Sequence, residues 1–117
     1  MKVHKYFEIA KLIAINQGDS KDASRQYRLG AVGIRNDGVL VGASNLCVRH
    51  PCPEAHAEYR TAKMLTPKSV VFVVRISKSG EYKNAKPCFG CRQYMKFRGV
   101  SKCYYSISEK EYGVLVL

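Results

Sequence analysis

Nowhere along the 117 residues do eighteen apolar residues run together, so no segment is long enough to cross a bilayer as an apolar helix. The first eleven residues mix Lys2, His4, Lys5 and Glu8 among apolar ones, which does not read as a signal peptide. A soluble, cytoplasmic protein without a membrane partner is the expectation. Repeats, low-complexity tracts and linkers are also lacking, and the length leaves room for one domain, 1–117. Acidic residues are scarce, 9 Asp and Glu against 20 Lys and Arg, for a formal net charge of +11. The imbalance is uneven: 9 basic and 6 acidic residues in 1–60, 11 and 3 in 61–117. Such a surface draws phosphates and polyanions, nucleic acid among them, but carries no chemistry of its own. A composition 46% hydrophobic and 25% charged excludes a disordered or fibrous chain.

Five cysteines stand at 47, 52, 88, 91 and 103. An odd count without an export signal argues against a disulfide framework and for metal binding or buried thiols. Val3, Tyr6, Phe7, Ala10, Ile13 and Ala14 recur at helical spacing and form the apolar face of a first helix. Residues 27–34 and 39–43 are short apolar runs around Asn36-Asp37-Gly38, a hairpin signal. Pro53-Glu54 suits the opening turn of a second helix running to about residue 65, which Thr66-Pro67 ends. Residues 69–76 (SVVFVVRI) have the β-branched density of a buried strand, and 77–86 read as a loop. Pro87 starts a third helix over 88–98, closed by Gly99, and strands at 103–107 and 112–117 come after it. The order predicts an α/β fold, a five-stranded mixed sheet with helices on both faces and a closing antiparallel hairpin.

Two helix openings carry metal-type residues, His56-Ala57-Glu58 on the second and Pro87-Cys88-Phe89-Gly90-Cys91 on the third. Cys88 and Cys91 are three apart, so both thiols lie on one side of a first helical turn, where the dipole favours thiolate. One His and two Cys leave a tetrahedral zinc (Zn2+) with an open fourth position, the pattern of a catalytic site rather than a closed structural one. Zinc lowers the pKa of water in such a position toward ~7. Glu58, two residues past His56, leaves the backbone in another direction and is placed to move protons as general acid and base.

His-x-Glu followed by Pro-Cys-x-x-Cys is the signature of zinc base deaminases, and the chain resembles the cytidine/deoxycytidylate deaminase superfamily from its first helix to its last strand. The resemblance implies zinc on His56, Cys88 and Cys91, with Glu58 shuttling protons while the amino-bearing ring carbon is attacked. It implies a nucleoside-holding Asn45, at the end of Gly42-Ala43-Ser44-Asn45, and a Tyr27 packed near the pyrimidine. Ala57 would offer its backbone N–H to the base carbonyl. Homo-oligomers are the habit of the superfamily.

Other readings compete. Cys47, Cys52, Cys88 and Cys91 form the ligand set of a four-cysteine, nucleic-acid-binding zinc module, but that leaves His56 and Glu58 unexplained. A redox role for Cys88 and Cys91 finds no support elsewhere in the chain. Cys47 and Cys52 bracket the loop before His56, where a second metal is conceivable, and Cys103 reads as a core thiol. Among substrates, the surplus of Lys and Arg favours a phosphorylated one, with Arg49 in the loop before His56 as phosphate contact. The expected reaction is deamination of cytosine in a free nucleotide, dCMP to dUMP first, with cytidine or deoxycytidine next. The alternative is editing of cytosine or adenine within RNA or single-stranded DNA.

Overall fold

The computed structural model describes residues 2–17, 27–45 and 56–117. α1 (Val3–Gln17) buries Phe7, Ala10 and Ala14 against the sheet, the face that its apolar spacing marks. β1 (Tyr27–Ile34) and β2 (Leu40–Ser44) form an antiparallel hairpin, with Gly30 opposite Ser44 and Ile34 opposite Leu40. Its turn uses Gly38 at φ +89°, a conformation that costs glycine little, and Asp37 Oδ1 accepts from the Val39 amide at 3.1 Å.

β3 (Val70–Ser77) pairs antiparallel with β1 and parallel with β5 (Lys102–Ser106), and β6 (Tyr112–Val116) closes the edge antiparallel to β5. The parallel pair requires a crossover, which α3 (Phe89–Phe97) supplies. The sheet order is β2-β1-β3-β5-β6. A sixth strand, β4 (Tyr82–Lys83), folds back on β3 beyond the end of β5. It lies inside the expected loop and was missed because two residues have no periodicity.

β3 is buried on both faces. Val71 and Val73 join Ala57, Ala62, Leu65, Met95 and Cys103 beneath α2 (Ala57–Ala62) and α3; Phe72, Val74 and Ile76 join Phe7, Ala10 and Ala14 beneath α1. The three layers are those expected, and Cys103 is the core thiol expected.

Both bounds of the second helix need correction. The second helix begins at Ala57, not at Pro53, because His56 is extended (φ −76°, ψ 148°) and stands as its N-cap. Pro53 and Glu54 lie outside the described residues. The helix also ends early, at Ala62, and continues as tighter turns in which the amides of Met64 and Leu65 bond to Thr61 and Ala62.

Candidate active site

His56 and Cys88 occupy equivalent places, each an extended N-cap residue without a side-chain capping bond, one before α2 and one before α3. Neither side chain satisfies its own helix, so both are available to something between the helices. Cys91 lies one turn into α3 and is fully buried. The donor atoms of His56, Cys88 and Cys91 all lie within 4.8 Å of one another. His56 Nδ1 is 3.2 Å from Cys91 Sγ and 3.6 Å from Cys88 Sγ. Tetrahedral zinc with bonds of ~2.3 Å to sulfur and ~2.0 Å to nitrogen sets such donors about 3.6 Å apart.

The electrostatics also fit a cation. Burial lowers the His56 pKa, keeping the imidazole neutral and able to ligate. Cys91 is pushed well above the usual thiol range by burial, then by the Glu58 charge and by Cys88. A bound cation reverses that balance by favouring thiolate.

Glu58 is 3% exposed, an unusual environment for a carboxyl. Burial raises its pKa to about 7, opposed in part by hydrogen bonds from its own backbone amide and from Cys91. Its Oε1 is buried with no hydrogen-bond partner among the described residues. A buried, orphaned acceptor beside three metal-type donors fits a site that gains its remaining partners from a metal, water or substrate.

His56, Glu58 and Cys88 line a cavity of about 170 Å³ together with Leu29, Arg75, Asn84, Ala85 and Lys86, with Cys91 buried behind them. Sequence reasoning missed Arg75 and Asn84. For Arg75 a signal existed: it is the one charge inside an otherwise apolar, central strand. For Asn84 none did, because the short β4 strand and its exit place it.

Asn45 does not line the cavity itself. Its Oδ1 accepts from the Leu29 amide at 3.0 Å, and its own amide donates to Leu29 O, so it braces a residue that does. Ala57 is buried at the first position of α2, where a backbone N–H has no helical partner. Tyr27 opens β1, with its side chain outside the described part of the chain. Arg49, Cys47 and Cys52 lie outside the described residues.

A sheet of this order with helices on both faces also describes known proteins. The chain superposes on cytidine deaminase from Burkholderia pseudomallei with a TM-score of 0.70, at 21% identity over 99% of this chain and 93% of that one. The chain has the cytidine deaminase fold. Cytidine deaminases from Mycobacterium tuberculosis (TM-score 0.62, 18% identity, 91% and 85% covered) and Mycobacterium leprae (0.61, 18%, 97% and 93%) share it. No family profile and no curated protein matches the sequence. At these identities the likeness establishes the cytidine deaminase fold, and the chemistry rests on the side chains within it.

Proposed function

We propose that the chain is a zinc-dependent hydrolase that converts cytosine to uracil in a free nucleotide, dCMP to dUMP before the nucleosides. The observation that carries this reading is the buried Glu58 carboxyl, its Oε1 unpartnered among the described residues, in a cavity it shares with His56 and Cys88 of the His56/Cys88/Cys91 donor group. The fold supports it, since the solved cytidine deaminases of the same architecture act on cytidine by name. His56, Cys88 and Cys91 would hold zinc, which when bound supplies the Lewis acidity that makes water a competent nucleophile near neutral pH.

The remaining work falls to the chain. A carboxyl whose pKa is about 7 exists in both protonation states at neutral pH, the condition for shuttling a proton. Glu58 takes a proton from the attacking water and delivers it to the ring nitrogen beside C4. It carries the second proton to the departing amino group, so cytosine and water become uracil and ammonia. Ala57 N–H holds the base carbonyl oxygen. Asn45 Nδ2, its Oδ1 engaged by Leu29, donates to the sugar. Tyr27 packs beside the ring, and Arg49 approaches the phosphate from its loop. Self-association belongs to the same reading.

The test is ammonia release from dCMP, CMP, deoxycytidine, cytidine and a single-stranded oligonucleotide, with the Glu58→Gln protein alongside. The expected result is turnover of the free nucleotides and one zinc per chain in both proteins. Glu58→Gln should lower turnover ~10²–10⁴-fold, the usual contribution of a general acid–base group. Turnover confined to the oligonucleotide would overturn the substrate, and normal turnover by Glu58→Gln would overturn the mechanism.

A further inference from the structure

In β3 the face beneath α2 and α3 receives Val71, Val73 and, two residues on, Arg75. Two members of this row are fully buried hydrocarbons, and the third brings a guanidinium into the cavity that holds His56, Glu58 and Cys88. Its backbone is held on three sides. Arg75 pairs with Leu29 on β1 and Lys83 on β4, and its amide donates to Ser106 Oγ at 3.3 Å. Ser106 Oγ in turn donates to Lys83 O at 2.8 Å, and Ala85 N donates to Ser106 O at 2.8 Å. Ser106 thus ties the end of β5 to β3 and to the segment carrying Asn84 and Lys86. These ties seat the Arg75 backbone on the central strands and on β4 rather than in a free loop.

The cavity lining falls into two sets by chemistry. His56, Glu58 and Cys88 are the residues that would hold a metal and move protons, while Arg75, Asn84 and Lys86 are rich in donors. Asn84 Oδ1 already accepts from the Lys86 amide at 2.9 Å, which leaves its Nδ2 hydrogens to donate. Arg75, Lys86 and Asn84 bring a guanidinium, an ammonium and an amide NH2 to the lining of one cavity; such a donor set complements a tetrahedral oxyanion, and two cations match the charge of a phosphate monoester dianion. The base needs neither cation once Glu58 and the metal ligands have engaged it.

We propose that Arg75 is a specificity-determining residue: with Lys86 and Asn84 it receives the 5′-phosphate, so that a nucleoside monophosphate is preferred to the nucleoside. This inference rests on the deaminase reading above and assigns the phosphate contact to the strand rather than to Arg49 alone.

Calorimetric binding of dCMP and deoxycytidine to zinc-loaded Glu58→Gln protein, which does not turn over, tests it in three backgrounds: Arg75 intact, Arg75→Gln and Arg75→Lys. With Arg75 intact, dCMP should bind roughly 10- to 100-fold more tightly than deoxycytidine, the range of one or two charge-assisted hydrogen bonds. Arg75→Gln should remove most of that margin while leaving deoxycytidine affinity within about twofold, and Arg75→Lys should keep part of it. Equal affinity for both ligands in the intact background overturns the proposal. So does a loss in Arg75→Gln shared equally by both, which marks a structural role. If Arg75→Gln fails to fold, Arg75→Lys and Lys86→Gln read the same margin, and its survival undiminished in both overturns the proposal. Ammonia release by the Glu58 protein separates the two readings. No deamination beside an Arg75-dependent dCMP margin removes the reaction and keeps the anion pocket, whereas deamination insensitive to the phosphate and to Arg75 removes the pocket alone.

Discussion

Glu58 sits where a charged carboxylate is disfavoured, and that gives the metal-free protein a pH dependence whose sign is set by the shift. In the unfolded chain the carboxyl ionises above its ordinary value of 4.5, while in the fold it holds its proton to about 7. The unfolded state therefore binds fewer protons across that window, and stability falls as pH rises through it. A shift of this size corresponds to roughly 3 kcal/mol, present below pH 4.5 and lost above 7. Urea melts of the metal-free protein at pH 5 and 8 should show this loss in the parent and not in Glu58→Gln; parallel slopes would place the carboxyl in a wetter site. The ligand set is tested at the same scale. Cys47→Ser/Cys52→Ser should retain one zinc per chain by elemental analysis, and Cys91→Ser should not. Zinc lost with the first pair would restore the four-cysteine module.

α1 is seated by small residues. A Cβ added at Gly30 would overlap the Ala10 carbonyl oxygen and come within 2.8 Å of the Ala14 amide nitrogen, so the helix backbone rests directly on β1. Backbone cannot rotate away as a side chain can, and Gly30→Ala should lift the helix at a cost of about 1–3 kcal/mol. Denaturant unfolding reads this, and unchanged stability would mean that α1 does not approach β1 so closely. The opposite layer works differently. α2 has six residues, too few for stability by itself, and depends on Ala57, Ala62 and the turn ending in Leu65 packing on Val71 and Val73. The N-cap residues His56 and Cys88 are thus held in place by the burial of their own helices.

Among the described residues several large apolar side chains remain uncovered, the most exposed of them on α3 and β6. Phe89 and Phe97 on α3 are 74% and 81% exposed, and Val114 and Val116 project from β6, an edge strand. Phe97 continues an aromatic series with Tyr94 and Tyr59, the last two stacked at 3.8 Å. Exposed apolar and aromatic groups of this kind mark association surfaces more often than solvent-facing ones. Sedimentation should give a multiple of the 13.2 kDa chain mass, and Phe97→Glu should shift it toward the single chain. A 13.2 kDa species at all concentrations would exclude self-association. Among the described residues no helix is long and apolar enough to cross a membrane.

What could be read from the sequence was what depends on neighbours along the chain. The apolar stripe of α1, the Asp37-Gly38 turn, the bounds of β1 and the spacing of Cys88 and Cys91 are local, because helical and strand periodicities act over a few residues. The candidate donors His56, Cys88 and Cys91 could be named from residue type and spacing, and the structure brings them within 4.8 Å of one another. What the tertiary structure decided depends on contacts distant in sequence. His56 meets Cys91 thirty-five positions away only because α2 and α3 pack on one face of the sheet. β4 exists because Tyr82 and Lys83 find the free edge of β3 beyond the end of β5, which no two-residue pattern announces. Arg75 reads in sequence as a stray charge in an apolar strand. Strand alternation turns it to the face beneath α2 and α3, and the segment braced by Ser106 closes a cavity around it; both conditions belong to the assembled sheet.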